Sequence, residues 1–113
     1  EKLAKLNRHH IDQYSYCMDK LAETPDGDAT LLDNIVMLYG CGISDGNKHL
    51  HTDLPCFIAG GGSGTHHGGR HLAFEGDLPI SNLQLTMLQN FGVNASALGD
   101  STGTIKELFK AKV

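Results

Sequence analysis

The sequence predicts an α/β domain, and three observations predict it. Apolar side chains recur at three- and four-residue steps over residues 1 to about 23, the period of a helix. Two short apolar runs, 34–39 and 54–59, each lead into a glycine-rich turn, which is how buried strands end in open α/β sheets. An amphipathic stretch over 82–91 supplies a second helix. With 113 residues the chain is one domain at most, and a chain of this size buries about two thirds of its unfolded surface.

Each element follows from local chemistry. In the first helix, Leu3, Leu6, His10, Tyr14, Cys17, Met18 and Leu21 form the stripe, and Thr24-Pro25-Asp26-Gly27-Asp28 stops it. On that stripe one ring of the His9-His10 pair is expected to face the core and the other to face water. Leu31-Leu32-Asp33 leads into the strand at 34–39, whose apolar residues on both faces predict a parallel strand in a covered sheet. Leu54-Pro55-Cys56-Phe57-Ile58-Ala59 is the second strand, and a short extended piece follows around Leu72-Ala73-Phe74. Ser81 is the predicted N-cap of the helix over 82–91, with Gly92 as its stop. A weak helical turn is expected at Ile105–Phe109. Two strands and two helices leave sheet edges open, which intact proteins cover. The domain is therefore expected to be incomplete on its own, completed by an N-terminal portion or by an oligomer.

Composition excludes several classes. The net charge is −4 and the nine Lys and Arg are scattered, so no basic surface for nucleic acid is built. No apolar run approaches the ~20 residues of a membrane span. Three cysteines without CxxC spacing rule out a full disulfide framework, though one bridge stays open. The seven histidines are the anomaly, and six fall in close pairs: His9-His10, His49-x-His51 and His66-His67.

The loop Gly40-Cys41-Gly42-Ile43-Ser44-Asp45-Gly46-Asn47-Lys48-His49-Leu50-His51 concentrates the chemistry. A carboxylate and two imidazoles at the carboxyl end of a strand fit a divalent cation. Asp45 fits metal ligation, and equally an Asx turn with Gly46 and Asn47. His49 and His51, two apart, share a side if extended, and fit either one ion or solvent. His66 and His67 diverge, which suits substrate contact or plain surface exposure rather than one metal. Arg70 and His71 fit an anionic group, and Arg70 also fits an ion pair with Glu75 or Asp77. Gly60 to Gly64 lacks the Gly-Lys-Ser/Thr ending of a phosphate loop, and no Gly-x-Ser-x-Gly elbow is present. Asp100-Ser101-Thr102 reads by default as a cap.

Taken in order, several motifs resemble one family. Thr30-Leu31-Leu32-Asp33-Asn34, then Tyr39-Gly40-x-Gly42-x-Ser44-Asp45-Gly46-Asn47-x-His49-x-His51-x-x-Leu54-Pro55, look like the C-terminal third of the bacterial HxxSHH-motif proteins. Ala59-Gly60-Gly61-Gly62, Gly68-Gly69-Arg70-His71-Leu72, Ser81-Asn82-Leu83 and Gly99-Asp100-Ser101-Thr102-Gly103 extend the likeness over nearly the whole chain. That family, of unknown function and usually exported, is placed near the alkaline phosphatase and sulfatase superfamily.

The resemblance implies an alkaline-phosphatase-like sheet-and-helix fold of which this is the C-terminal portion, and a periplasmic or secreted location. The HxxSHH element and a Ser, Thr or Cys nucleophile would lie upstream. A divalent metal (zinc, manganese or calcium) is implied, with Asp45 at the carboxylate-ligand position. Gly46 stands where the superfamily has a ligand histidine, so His49 or His51 would supply that imidazole, and Arg70 and His71 would contact substrate. Such a metal would lower the pKa of the nucleophile and neutralise charge on a phosphoryl or sulfuryl group. Two functions follow from different classes: a metal-dependent hydrolase of phosphate or sulfate esters, or a non-catalytic exported module that keeps the fold.

Overall fold

The computed structural model describes residues 1–110. Along it run helix α1 (Lys2–Glu23), the short strands β1 (Pro25–Asp26) and β2 (Ala29–Thr30), the one-turn helix α2 (Leu31–Asn34), strands β3 (Met37–Gly40) and β4 (Cys56–Ala59), and helix α3 (Ile80–Asn90). The class is mixed α/β, with two small antiparallel sheets, β1-β2 and β3-β4.

Helix α1 ends where expected, with the Thr24 hydroxyl donating to the Lys20 carbonyl at 2.7 Å and Pro25 unable to continue the hydrogen-bond ladder. Its packing departs from expectation. No residue of α1 is buried; only Tyr14, Met18 and Leu21 are half-buried, while Leu3 and Leu6 stand 66% and 51% exposed. His9 and His10 are both exposed, so neither ring faces a core. The apolar stripe is real, but only its C-terminal half has something to lie against.

The segment read as the run-up to a strand is helix α2, and its cap explains why. The Thr30 hydroxyl accepts from the Asp33 amide at 3.3 Å, and the Asp33 carboxylate accepts from the Thr30 amide at 2.9 Å and the Thr30 hydroxyl at 2.7 Å. This reciprocal box satisfies donors that a helix start otherwise leaves open. The Thr30 hydroxyl and amide hold the Asp33 carboxyl below its ordinary value. A carboxyl depressed in the fold contributes stability above its unfolded pKa and loses it as pH falls through the folded one. NMR titration is expected to place the Asp33 midpoint below that of a free aspartate, and Thr30→Ala, which removes the hydroxyl but keeps the amide, to raise it part of the way back. A midpoint at or above the free value would mean that the box does not hold in solution.

Strands β3 and β4 pair antiparallel, with Met37 opposite Ala59 and Gly40 opposite Cys56. The parallel arrangement expected from two-sided apolarity is not adopted. A parallel return needs a crossover, usually a helix, and the 41–55 connection contains none. Two-sided apolarity has another cause: both faces of the β3-β4 ribbon meet other elements, although Cys56 and Phe57 of β4 stay exposed. On one, Tyr14 meets Tyr39 and Phe57 edge-on, at 5.2 and 5.1 Å between ring centroids. Burial raises the Tyr14 pKa, and its hydroxyl donates to the Met37 carbonyl at 3.3 Å. On the other face, Leu38 and Ile58 pack against the small core of Leu83, Ile105 and Leu108.

Helix α3 begins two residues earlier than expected, with Pro79 at the cap. Ser81 lies inside its first turn, where its hydroxyl donates to the Asp100 carboxylate at 2.6 Å rather than accepting from the helix. Gly92 ends the helix as expected, at φ +86°, a conformation glycine adopts without steric cost. The stretch expected to be extended at 72–74 is irregular, and 105–109 forms a turn, not a helix.

The molecule is open for its size. Its radius of gyration is 15.6 Å, against about 13 Å for a compact chain of this length. Its accessible surface is 8206 Å², against about 6,100 Å² for a folded monomer of this mass.

Candidate functional site

The 41–55 loop closes on itself through its backbone. The Ser44 amide donates to the Leu50 carbonyl at 3.0 Å, and the Leu50 amide to the Asp45 carbonyl at 3.3 Å. Asp45 organises the turn between them: its Oδ1 accepts from the amides of Asn47 at 2.9 Å and Lys48 at 3.2 Å. The Asx-turn role is therefore filled, and it leaves Oδ2 without a hydrogen-bond partner among the described residues. His51 Nδ1 lies 2.6 Å from the Gly42 carbonyl oxygen. A carbonyl only accepts, so Nδ1 donates to it, and in the neutral ring Nε2 then carries the lone pair, the tautomer that metal-ligating histidines commonly adopt. His49, exposed, sits at φ +52°, and Asp53 at +51°. Two non-glycine residues in the left-handed region of one loop are uncommon, and such backbone strain concentrates at functional segments.

Asp45, His49 and His51 thus share one loop without converging. Among the described residues no group of three or more His, Cys, Asp or Glu side chains is placed to hold a metal ion. The donors among the described residues do not make a complete metal site.

Arg70 is placed differently from either sequence expectation. Its guanidinium donates to three backbone carbonyls, of His67, Glu107 and Leu108, each at 2.9 Å. It makes no ion pair with Glu75 or Asp77; the ion pairs among the described residues are Lys5–Glu1 and Lys20–Glu23. A planar fork suits such a clamp, and it ties the 67–70 turn to the end of the described chain. His71 is exposed, with no hydrogen bond among the described residues.

Two sites were not legible as such in the sequence. His66 is buried at 8% exposure, its Nδ1 2.7 Å from the Gly60 carbonyl and its ring edge-on to Phe109 at 5.8 Å. It pins the glycine loop and is not a surface residue, whereas His67 is exposed. The adjacent rings do diverge, one inward and one outward. The amides of Gly61, Gly62 and Ser63 donate to the carbonyls of Leu32, Ile35 and Asp33, so the loop after β4 grips the α2–β3 connection. The second site is a clasp: Thr102 and Asn82 exchange two hydrogen bonds, and the Ile105 amide donates to the Thr86 hydroxyl. Asp100-Ser101-Thr102 therefore bolts the 98–105 loop onto α3 rather than capping a helix.

The three cysteines are free. No family model, no curated protein and no solved structure matches the chain.

Proposed function

We propose that this chain is the ligand-loop portion of a hydrolase-like domain of the phosphatase and sulfatase type, as its resemblance to the HxxSHH-motif proteins implies. The carrying observation is His51, whose Nδ1 bond to Gly42 fixes the ring and leaves Nε2 bare. Asp45 adds a second free donor, Oδ2, on the same loop after β3. Two donors are fewer than a zinc site needs, so the remainder comes from another polypeptide segment. That segment also covers the excess surface of about 2,000 Å². A divalent cation held there would supply electrostatic stabilisation of an ester oxyanion; within this chain, Asp45 and His51 would hold it and the Gly42 carbonyl would orient His51.

No helix among the described residues is long and apolar enough to cross a membrane. The proposed location is periplasmic or extracellular, on the same resemblance. A non-catalytic module is the second reading, and two observations favour it: among the described residues no three donors converge, and Arg70, the expected anion contact, is committed to backbone carbonyls.

Zinc titration followed by NMR separates the two. His51 and Asp45 are expected to respond before His9, His10, His67 and His71, and His51→Ala to abolish that first response. Zinc that binds elsewhere, or nowhere, together with inactivity on aryl phosphates and sulfates, supports the module instead.

A further inference from the structure

Five polar side chains are buried among the described residues: Thr65, His66, Ser81, Asn82 and Thr86. Four of them have each side-chain polar atom hydrogen-bonded. His66 differs: Nδ1 meets the Gly60 carbonyl at 2.7 Å, and Nε2 has no hydrogen-bond partner among the described residues. Nε2 is nonetheless not sealed in, because every fully enclosed side-chain nitrogen or oxygen among these residues has a partner.

His66 lines a cavity of about 200 Å³. Beside it, Ile58, Leu72, Leu83, Ile105 and Leu108 are buried or half-buried and make an apolar floor, while exposed Phe57 and Phe74 stand at the mouth. No Asp or Glu among the described residues lines the cavity, so nothing in it would recognise an ammonium ion.

We propose that Nε2 opens into this cavity and that the cavity binds a small phenol. Nδ1 donates to a carbonyl, so in the neutral ring Nε2 is an acceptor, and the ligand must bring the donor. Water can donate to Nε2 but leaves the apolar floor wet. A phenol meets both needs, with its ring on the floor and its hydroxyl on Nε2. A cavity of about 150 Å³ accepts benzene, so this one takes a single ring with a short substituent. A mostly apolar hollow with one placed polar group is the usual make-up of a small-ligand site. The acceptor is also fixed in advance, held by the Gly60 carbonyl and by Phe109, edge-on at 5.8 Å, which lowers the cost of binding.

No residue of the 41–55 loop lines this cavity, so the phenol site goes beyond the hydrolase reading and does not rest on it. The probes are p-cresol, toluene and benzoate, each titrated into the purified protein and followed by NMR. We expect p-cresol to bind with Kd below about 1 mM, moving the methyl signals of Ile58, Leu72 and Leu83 and the Nε2 signal of His66. Toluene, which lacks only the hydroxyl, is expected to bind about fivefold more weakly. His66→Asn keeps a side-chain N–H for the Gly60 carbonyl and removes Nε2, and is expected to erase that difference. Should the variant misfold, the ratio of the two ligands and the Nε2 signal of the unaltered protein decide. Equal binding of p-cresol and toluene, an unmoved Nε2 signal, or no binding overturns the proposal, as does a ratio that survives His66→Asn. Benzoate binding more tightly than p-cresol would assign the cavity to an anion and overturn it too. A zinc response at His51 without p-cresol binding would sink the phenol site and leave the metal loop standing.

Discussion

Gly60→Ala is expected to destabilise the protein by about 3–5 kcal/mol, a large part of the total that holds a single domain together. Two penalties coincide there. Gly60 sits at φ +97°, and a Cβ on it would run into the Ile35 carbonyl, with the Leu32 carbonyl oxygen 3.2 Å away. Backbone on both sides cannot swing aside as a side chain would. Moving the loop to make room gives up the amide bonds from Gly61, Gly62 and Ser63 and the His66 contact to the Gly60 carbonyl. Gly64→Ala is the matched control: its φ is +83°, but nothing lies within 4 Å of the added carbon. That substitution carries only the conformational strain, about 1–2 kcal/mol. Urea unfolding of both variants measures the difference, and equal midpoints would show that the loop relaxes around the clash.

Arg70→Lys is expected to cost about 2–3 kcal/mol, nearly as much as Arg70→Ala. An ammonium is a point donor and cannot span the carbonyls of His67, Glu107 and Leu108 together, whereas the guanidinium reaches all three at 2.9 Å. Leu108 is a core residue, 5% exposed, so its carbonyl would be poorly rehydrated once the clamp is gone. Full stability in Arg70→Lys, measured by thermal unfolding, would argue that charge alone matters and would return Arg70 to the role of anion contact.

The two long helices were the legible part of the fold. The period of α1 and the stop at Gly92 could be read because both depend on residues within a few positions of each other. Strand pairing was not legible, because Leu38 and Ile58 carry no label for which neighbour they will take. Their apolar character suggests a parallel pairing in a covered sheet, and the ribbon is antiparallel with half of β4 exposed. Ser81 misled for a related reason: a serine before an apolar run is the usual sign of a cap, but Asp100 arrives from a distant loop to take its hydroxyl. At the site, the Asx turn of Asp45 followed from its immediate neighbours. The clamp of Arg70 and the burial of His66 did not, since their partners lie on segments brought near only by the fold.

The aromatic trio between α1 and the ribbon has a spectroscopic consequence. The chain has no tryptophan and three tyrosines, and two of those, Tyr14 and Tyr39, touch Phe57 and one another. Ultraviolet emission therefore senses detachment of the first helix, while loosening around Leu83 and Ile105 passes unseen.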